Sequence, residues 1–526
     1  MRQLFWKNIG LSVLSALLFA LPWRVPAAGW LLWFAFVPLL WLEADFRQRK
    51  ERGCWIYYAL TFLLWNVLTT YWIYRATLWG GVVAVVGNAF QMFLIFALFR
   101  WVKKKTTPPI GYIFLAALWI AWEYFYFDAE ISWPWLVLGN GFGTTTFLVQ
   151  WYEYTGVLGG SLWAFLANIL ILRLIKERKG IMITAVALVL PVLLSLYRYW
   201  SYAEKQNPIE VVVLQPNIDP YNDKFDNLTQ EEQDSRLLEV AQRAVRPATR
   251  YIFAPETAVE GVLEEHAGQN ASFTKFLQFL QEYPRAAFVV GAVSTRYYSP
   301  APDPPTETAK RYGDGWYDRF NAAFQLSVGA DPLVYHKSKL VIGAEKSPYM
   351  RYLKFANNLI IDLGGAMGSF GTQSESAVFP APWNQNLQVG VAICYESVYG
   401  EYFASYVKKG AGFMAVITND GWWGNTPGYR QHLAFSRLRA IETRRSIARS
   451  ANTGISALIN QRGDFLQKSA WWEGTYLRGD LNINHTLTFY VRHGDLIGRA
   501  SVYALVLLLV YGLADQRGRR NKRTKA

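Results

Sequence analysis

Residues 387–396 read "LQVGVAICYE". The apolar residues run on without the strict alternation of a half-solvated strand, which is the pattern of a strand covered on both faces in an α/β sheet. Cys394 stands at its end, ahead of a stretch of helical spacing at 399–408. In open α/β sheets chemistry collects at strand ends, so a thiol there points to a cleft. The chain has only two cysteines, Cys54 and Cys394, so no disulfide framework accounts for it. A buried structural cysteine is the plain alternative.

The same texture extends outward. Strands are expected at 209–217, 251–256, 286–295, 322–328, 412–420 and 446–460, with helices at 229–245, 271–282, 399–408 and 429–445. Alternation of this kind describes a layered α/β soluble domain over 201–490. The Pro-rich stretch "SPAPDPPTET" (299–308) reads as a surface loop inside it.

Residues 1–200 differ. About seven apolar segments, near 9–23, 27–44, 54–74, 80–101, 110–127, 155–172 and 181–198, have the roughly 20 residues that a bilayer crossing needs. The first reads as a retained helix rather than a signal peptide, because more spans follow at once. A last span is expected at 496–513, within a third region of 491–526 that ends in a basic tail. The chain is thus a multi-pass α-helical membrane domain joined to an α/β domain.

The net charge of +14 raises the question of a nucleic-acid partner. Its distribution answers it. With the N-terminus in the cytoplasm, Arg47, Arg49, Lys50, Arg52, Arg100, Lys103 to Lys105, Arg173, Lys176, Arg178, Lys179 and the basic tail all fall inside. The short outside loops hold only Arg24 and Arg75. This is the positive-inside pattern; it absorbs essentially the whole net charge and leaves no nucleic-acid footprint. An odd number of spans before residue 201 then puts the α/β domain on the outer, periplasmic face of an inner membrane.

A thiol needs a base or a positive field to react. Five histidines are present: His336 in a strand, His432 on a helix, and His266, His485 and His493 in loops. None stands in a clear partner context, and no metal-ligand spacing appears. Glu256, in "YIFAPETAVEG", sits at a strand tip, where burial could make it a base. Lys337, in "VYHKSKL", lies in an apolar β run; it reads as an edge charge or as a cation near a thiolate.

Taken together, Glu in "PETA", Lys in "VYHKSKL" and Cys in "CYE" resemble the Glu–Lys–Cys triad of the nitrilase, or carbon–nitrogen hydrolase, superfamily. "LQPNI" (214–218), "ITNDGWWG" (417–424) and "QHLAFSRLRAIETRRSIARSANTGISA" (431–457) resemble further blocks of it. With its membrane spans the whole chain resembles the membrane-bound branch, the apolipoprotein N-acyltransferases. The chain departs in having "LVIGAE" (340–345) where the family tends to have "LVPFGE", and Phe225 where a cleft tryptophan is frequent.

The resemblance implies a nitrilase-like αββα sandwich and no metal or other cofactor. It implies acyl transfer from a phospholipid, phosphatidylethanolamine by expectation, to the α-amino group of a diacylated apolipoprotein through a Cys394 thioester. Glu256 would be the base and Lys337 the oxyanion cation, helped by a backbone N–H near Tyr395; Glu345 and Glu396 would orient the lysine and the cleft. Phe225, Trp422 and Trp423 would contact substrate, with "GWWGNTPGY" (421–429) as a membrane-dipping arm. The alternatives are a membrane-tethered amidase acting on a small amide, and a transporter or receptor with a ligand-binding outer domain. Spans poor in intramembrane charge speak against the last.

Overall fold

The computed structural model describes residues 2–51, 53–346 and 370–524, without the side chains of 225, 226 and 513–524. Phe225's side chain, Arg52 and the basic side chains of the tail therefore lie outside the described residues. The chain divides into two compact units: residues 1–71, 81–198 and 493–526 form one, and residues 72–80 and 199–492 the other.

The first unit is helical. Among the described residues six helices are long and apolar enough to cross a membrane: Arg2–Arg24, Gly29–Gln48, Trp55–Arg75, Leu78–Lys105, Tyr152–Glu177 and Ile181–Ser201. The sequence leads one to expect a seventh at 110–127. A helix of 19 residues does form there, Pro108–Tyr126, carrying Glu123 and several Tyr and Trp residues among its apolar ones. The final expected span is the apolar stretch Leu496–Gly512. The second span is interrupted between the turn Gly29–Trp33 and the helix beginning at Val37. Asn168 repairs the break, accepting from Phe36 N (2.7 Å) and donating to Leu32 O (2.7 Å), as backbone groups away from water require. Some charged residues of this unit are buried, among them Glu123, one of the few acids that the sequence puts at membrane depth. Lys103 and Glu43 are both buried and form an ion pair, and buried Glu123 accepts from Leu138 N at 2.8 Å.

The second unit is the α/β sandwich. One sheet contains β1 (Pro208–Gln215), β2 (Tyr251–Phe253), β3 (Val259–Leu263), β4 (Ala287–Tyr298), β5 (Lys310–Tyr312), β6 (Gly315–Leu326), β7 (Leu333–His336) and, at the far edge, Thr475–Asn482. The other contains β8 (Val378–Ala381), β9 (Asn384–Ile393), β10 (Ala411–Thr418), β11 (Ile447–Ala451), β12 (Ala457–Ile459) and β13 (Phe465–Lys468); the edge strand Thr475–Asn482 is then β14. Parallel pairs β1–β2–β4 and β9–β10–β11 form the centres. All eight residues of β10 are buried, as a strand covered on both faces demands.

Side chains of β1 alternate between two cores. Val211 and Val213 join the layer that includes Val389, Val391 and Phe413 of the other sheet, where Tyr251 meets Phe413 edge-on at 5.2 Å. Val212 and Leu214 face helices Gln230–Ala244 and Ala271–Leu280, against Val240, Phe276 and Phe288. Helices Gly400–Lys408 and Gly428–Thr443 accompany the second sheet. The order is helix, sheet, sheet, helix. One expected strand is split: 446–460 forms the antiparallel pair β11–β12, because Ser456 Oγ accepts from Ala451 N (3.1 Å) and closes the turn between them.

Candidate active site

Glu256 is carried by the turn that follows β2. Gly291 of β4 is what admits this turn, since a Cβ there would lie 2.5 Å from Glu256 Cα and 2.6 Å from Pro255 O. Thr257, next in the chain, has φ +49, a left-handed conformation uncommon for a non-glycine residue. The buried Lys224 ammonium holds it, 2.6 Å from both its carbonyl and hydroxyl oxygens.

Lys337 follows β7, and its N–H donates to Asn321 O (2.8 Å), continuing the β6–β7 ladder by one bond. Its Nζ lies 2.8 Å from Glu256 Oε1 and 3.0 Å from Glu345. Asn321 Nδ2 donates to the same two carboxylates, at 2.8 and 2.6 Å. Glu345 is held in turn by Val341 N, 2.8 Å from its Oε2. The "LVIGAE" segment therefore still delivers Glu345, through a tight turn in which Glu345 N donates to Val341 O (2.8 Å).

Cys394 is the first residue past β9 and also adopts a left-handed φ, +50. It is 7% exposed. Its thiol feels the charges of Glu256 and Lys337 and lies near Thr418. Asn419 N donates to Glu256 Oε2 at 3.1 Å. Glu256, Lys337 and Cys394, far apart in sequence, thus meet where strand ends of both sheets converge.

The charges are interdependent. Burial pushes the Glu256 carboxyl up, but Lys337, Asn321 and the Cys394 thiol outweigh it and hold the carboxyl below its usual value. Burial pulls Lys337 down, yet Glu256 and Glu345 keep its ammonium well above the usual lysine value. Burial and then the Glu256 charge drive the Cys394 thiol well up, against Lys337. The resting site is a carboxylate, an ammonium and a neutral thiol.

Glu396 does not touch the lysine side chain. It is fully buried and ties two chain segments together. Its Oε1 accepts from Tyr335 (2.6 Å) and Ser338 N (2.7 Å), and its Oε2 from Ile393 N (2.8 Å) and Tyr406 (3.0 Å). The turn after Lys337 is thereby fastened to the turn carrying Cys394. Tyr395 is buried, with its ring edge-on to Tyr399 at 5.2 Å.

Trp422 and Trp423 close a short turn, Asp420–Trp423. Both are half-buried. Trp422 meets Tyr221 edge-on at 5.3 Å; Trp423 packs on Trp72 at 4.7 Å. Phe225 lies in the helical turn Asp223–Asn227.

Sequence reasoning passes over Asn321 and Lys224, and gives His432 no partner. His432 is buried beneath the nucleophile turn, its Nε2 3.1 Å from Cys394 O. Donor atoms of Cys394, Asp420 and His432 lie within 4.8 Å of one another, but Arg449 sits 2.6 Å from Asp420 Oδ2. A metal ion there would face a guanidinium, so the donor set suits hydrogen bonding rather than metal binding. His336, by contrast, pairs with Glu264 at 2.6 Å.

Comparisons with known proteins identify the family. Residues 15–170 match the apolipoprotein N-acyltransferase N-terminal domain, and residues 199–486 match the carbon-nitrogen hydrolase family. An apolipoprotein N-acyltransferase of Chlorobaculum tepidum is 29% identical, over 96% of this chain and 97% of its own. One of Geobacter metallireducens is 26% identical over 94% and 92%. Among solved structures, an amidase from Nesterenkonia sp. is similar over 58% of this chain and 98% of its own, with 14% identity and a TM-score of 0.36. With that family matched over more than half its length, and the N-terminal domain matched ahead of it, the chain belongs to the carbon-nitrogen hydrolase family, in its apolipoprotein N-acyltransferase branch.

Proposed function

We propose that this membrane protein moves an acyl chain from a phospholipid to the N-terminal amine of a diacylated apolipoprotein, with Cys394 as nucleophile, Glu256 as base and Lys337 as oxyanion cation. The observation that carries the reading is the buried Cys394 thiol lying within the electrostatic reach of a Glu256 carboxylate that is itself paired with Lys337 at 2.8 Å. As the ester carbonyl arrives, the thiol proton passes to Glu256 and an Sγ–C bond forms. The carbonyl oxygen takes the negative charge, beside Lys337 and a backbone N–H near Tyr395. The ester C–O bond then breaks, Glu256 returns its proton to the leaving oxygen, and a lysophospholipid departs. In the second half the acceptor amine attacks the thioester, gives its proton to Glu256, and the thiol is restored as the amide forms.

Glu345 and Asn321 keep Lys337 and Glu256 in register, and Glu396 holds the two turns together. Phe225, Trp422 and Trp423 are the residues assigned to substrate contact in this reading. The donor is phosphatidylethanolamine, giving up its sn-1 chain. The α/β unit, residues 201–490, lies on the periplasmic side of the inner membrane between the helices of 1–200 and 491–526. The positive-inside bias of the loops supports this orientation.

A membrane-tethered amidase would share the three residues. The match of residues 15–170 to the acyltransferase N-terminal domain favours the transferase. The test is incubation of the full chain with phospholipid carrying a labelled acyl group. A hydroxylamine-sensitive adduct that vanishes in Cys394→Ala is expected; absence of any adduct from the wild type overturns the reading.

A further inference from the structure

Cys394 keeps a left-handed backbone, φ +50, at the one point where its side chain must reach both Glu256 and Lys337. A non-glycine residue stays in that region only where its surroundings over-determine it. What surrounds it is a buried polar cluster beneath the turn. His432, Asp420, Arg449 and Ser397 are each fully buried. Ser397 Oγ donates to Cys394 O at 2.7 Å. Its oxygen lies 2.9 Å from His432 Nε2, and Nε2 lies 3.1 Å from Cys394 O.

Those contacts decide where the imidazole proton sits. Ser397 spends its own proton on the carbonyl, so toward His432 it is an acceptor, and Cys394 O is a second acceptor. A ring nitrogen facing two acceptors carries hydrogen. On the other side, Nδ1 lies 2.9 Å from Asp420 Oδ1 and 3.1 Å from Arg449 Nη2. Arg449 is itself bonded to Asp420 Oδ2 at 2.6 Å and to Ser436 Oγ at 3.2 Å. Trp423 closes the ring's remaining side edge-on, at 5.6 Å. The imidazole cannot turn without breaking several of these contacts.

The geometry points to His432 as a positioning residue for Cys394: its Nε2–H, with the Ser397 hydroxyl, fills both lone pairs of the Cys394 carbonyl and fixes the turn that aims the thiol. His432 is not the base, since its Nε2 is committed to the carbonyl of the same residue and the proposed reaction gives that role to Glu256. If the turn relaxes, Sγ leaves the line between Glu256 and Lys337, and a displacement of about 1 Å costs on the order of 100-fold in rate.

This inference rests on Cys394 being the nucleophile, and the experiment separates the two. Single-turnover acylation by labelled phosphatidylethanolamine is followed in the full-length protein, with KM and thermal midpoint measured alongside. His432→Gln places an amide N–H near the Nε2 position, whereas His432→Asn places it near Nδ1. The expected result is that Gln stays within about 10-fold of wild type. Asn and Ala fall on the order of 100-fold, with KM unchanged. Equal losses in Gln and Asn, or losses that follow thermal midpoint alone, overturn the inference while the wild-type adduct leaves the function standing. A wild type that forms no adduct overturns both. Should the His432 variants fail to fold, Ser397→Ala decides: a fall in acylation rate at constant KM supports the clamp, and an unchanged rate overturns it.

Discussion

The Lys224 ammonium lies 2.6 Å from the carbonyl and the hydroxyl oxygen of Thr257, the residue next to Glu256. A buried cation here has a local task, which is to hold a left-handed turn at φ +49 that presents the carboxylate. Hydrogen bonds to a charged group contribute about 1.5–3 kcal/mol each. Lys224→Met keeps the length and removes the donors. It is expected to lower the acylation rate by about 10-fold or more, read by adduct formation, while Glu260→Gln, whose partner contact is longer at 3.6 Å, has a smaller effect.

Asn321 donates to both carboxylates that flank Lys337. Asn321→Ala leaves each with one donor fewer in a buried site, at a cost of about 1–3 kcal/mol. Asn321→Asp adds a third negative charge beside them and is expected to do more damage than Ala. The ordering wild type, Ala, Asp in acylation rate checks it; an Asp variant as active as Ala would count against the donor role.

Reactivity of the free thiol follows from its neighbours. Burial and Glu256 hold Cys394 well above the ordinary thiol value of 9.0, so alkylation by iodoacetamide should climb steadily between pH 6 and 9 with no plateau. In Glu256→Gln the opposing charge is gone and Lys337 remains. The alkylation profile is then expected to shift to lower pH while acyl transfer collapses. Measuring both in one preparation separates the charge of Glu256 from its role as base.

Asp420 tests linkage. Burial would raise its carboxyl, but Arg449 and His432 bring it down to about 2, from an ordinary 3.8. A folded-state value below the unfolded one gives stability that is present above about pH 4 and lost as pH falls through 2. The difference corresponds to about 2 kcal/mol at neutral pH. Asp420→Asn should therefore melt below wild type at pH 7, and the gap should narrow between pH 5 and 2.

Glu396→Gln is expected to destabilise the α/β unit by about 2 kcal/mol, because five donors converge on its two oxygens and an amide NH2 would face at least two of them. Thermal melts of the variant against Glu396→Asp measure this.

The three residues proposed as catalytic were legible as strand-end residues because they lie in short motifs. Glu256, Lys337 and Cys394 each sit at a strand end, and a strand that is apolar on both faces announces itself by composition. Glu396 was legible as a support but not in its manner of acting, which is to fasten two turns rather than to reach the lysine. Asn321 was hidden because its relation to Lys337 is a register. Ala322 pairs with His336 across β6 and β7, which sets Asn321 opposite Lys337, and no local pattern encodes which residues of two strands face each other. His432 was hidden for a related reason. It sits on a helix whose residues are almost all buried, so no polar face marks it out. The apolar segment expected at 110–127 does form a helix, Pro108–Tyr126, whose aromatic residues, suited to interfaces, count for little on a hydropathy scale.

The pairing of β1 with β14 has a consequence for synthesis. All eight residues of Pro208–Gln215 register with Thr475–Asn482, and Ile483 N closes the ladder on Asn207 O at 2.9 Å. The first strand of the unit thus waits roughly 260 residues for its outer neighbour, with an open edge in the meantime. Such a long-range closure makes the last step of folding depend on the last part of the unit to be translated. A stop codon anywhere ahead of Thr475 would therefore cost more than a membrane anchor: it would leave the sheet that carries Glu256 and Lys337 unfinished at its edge.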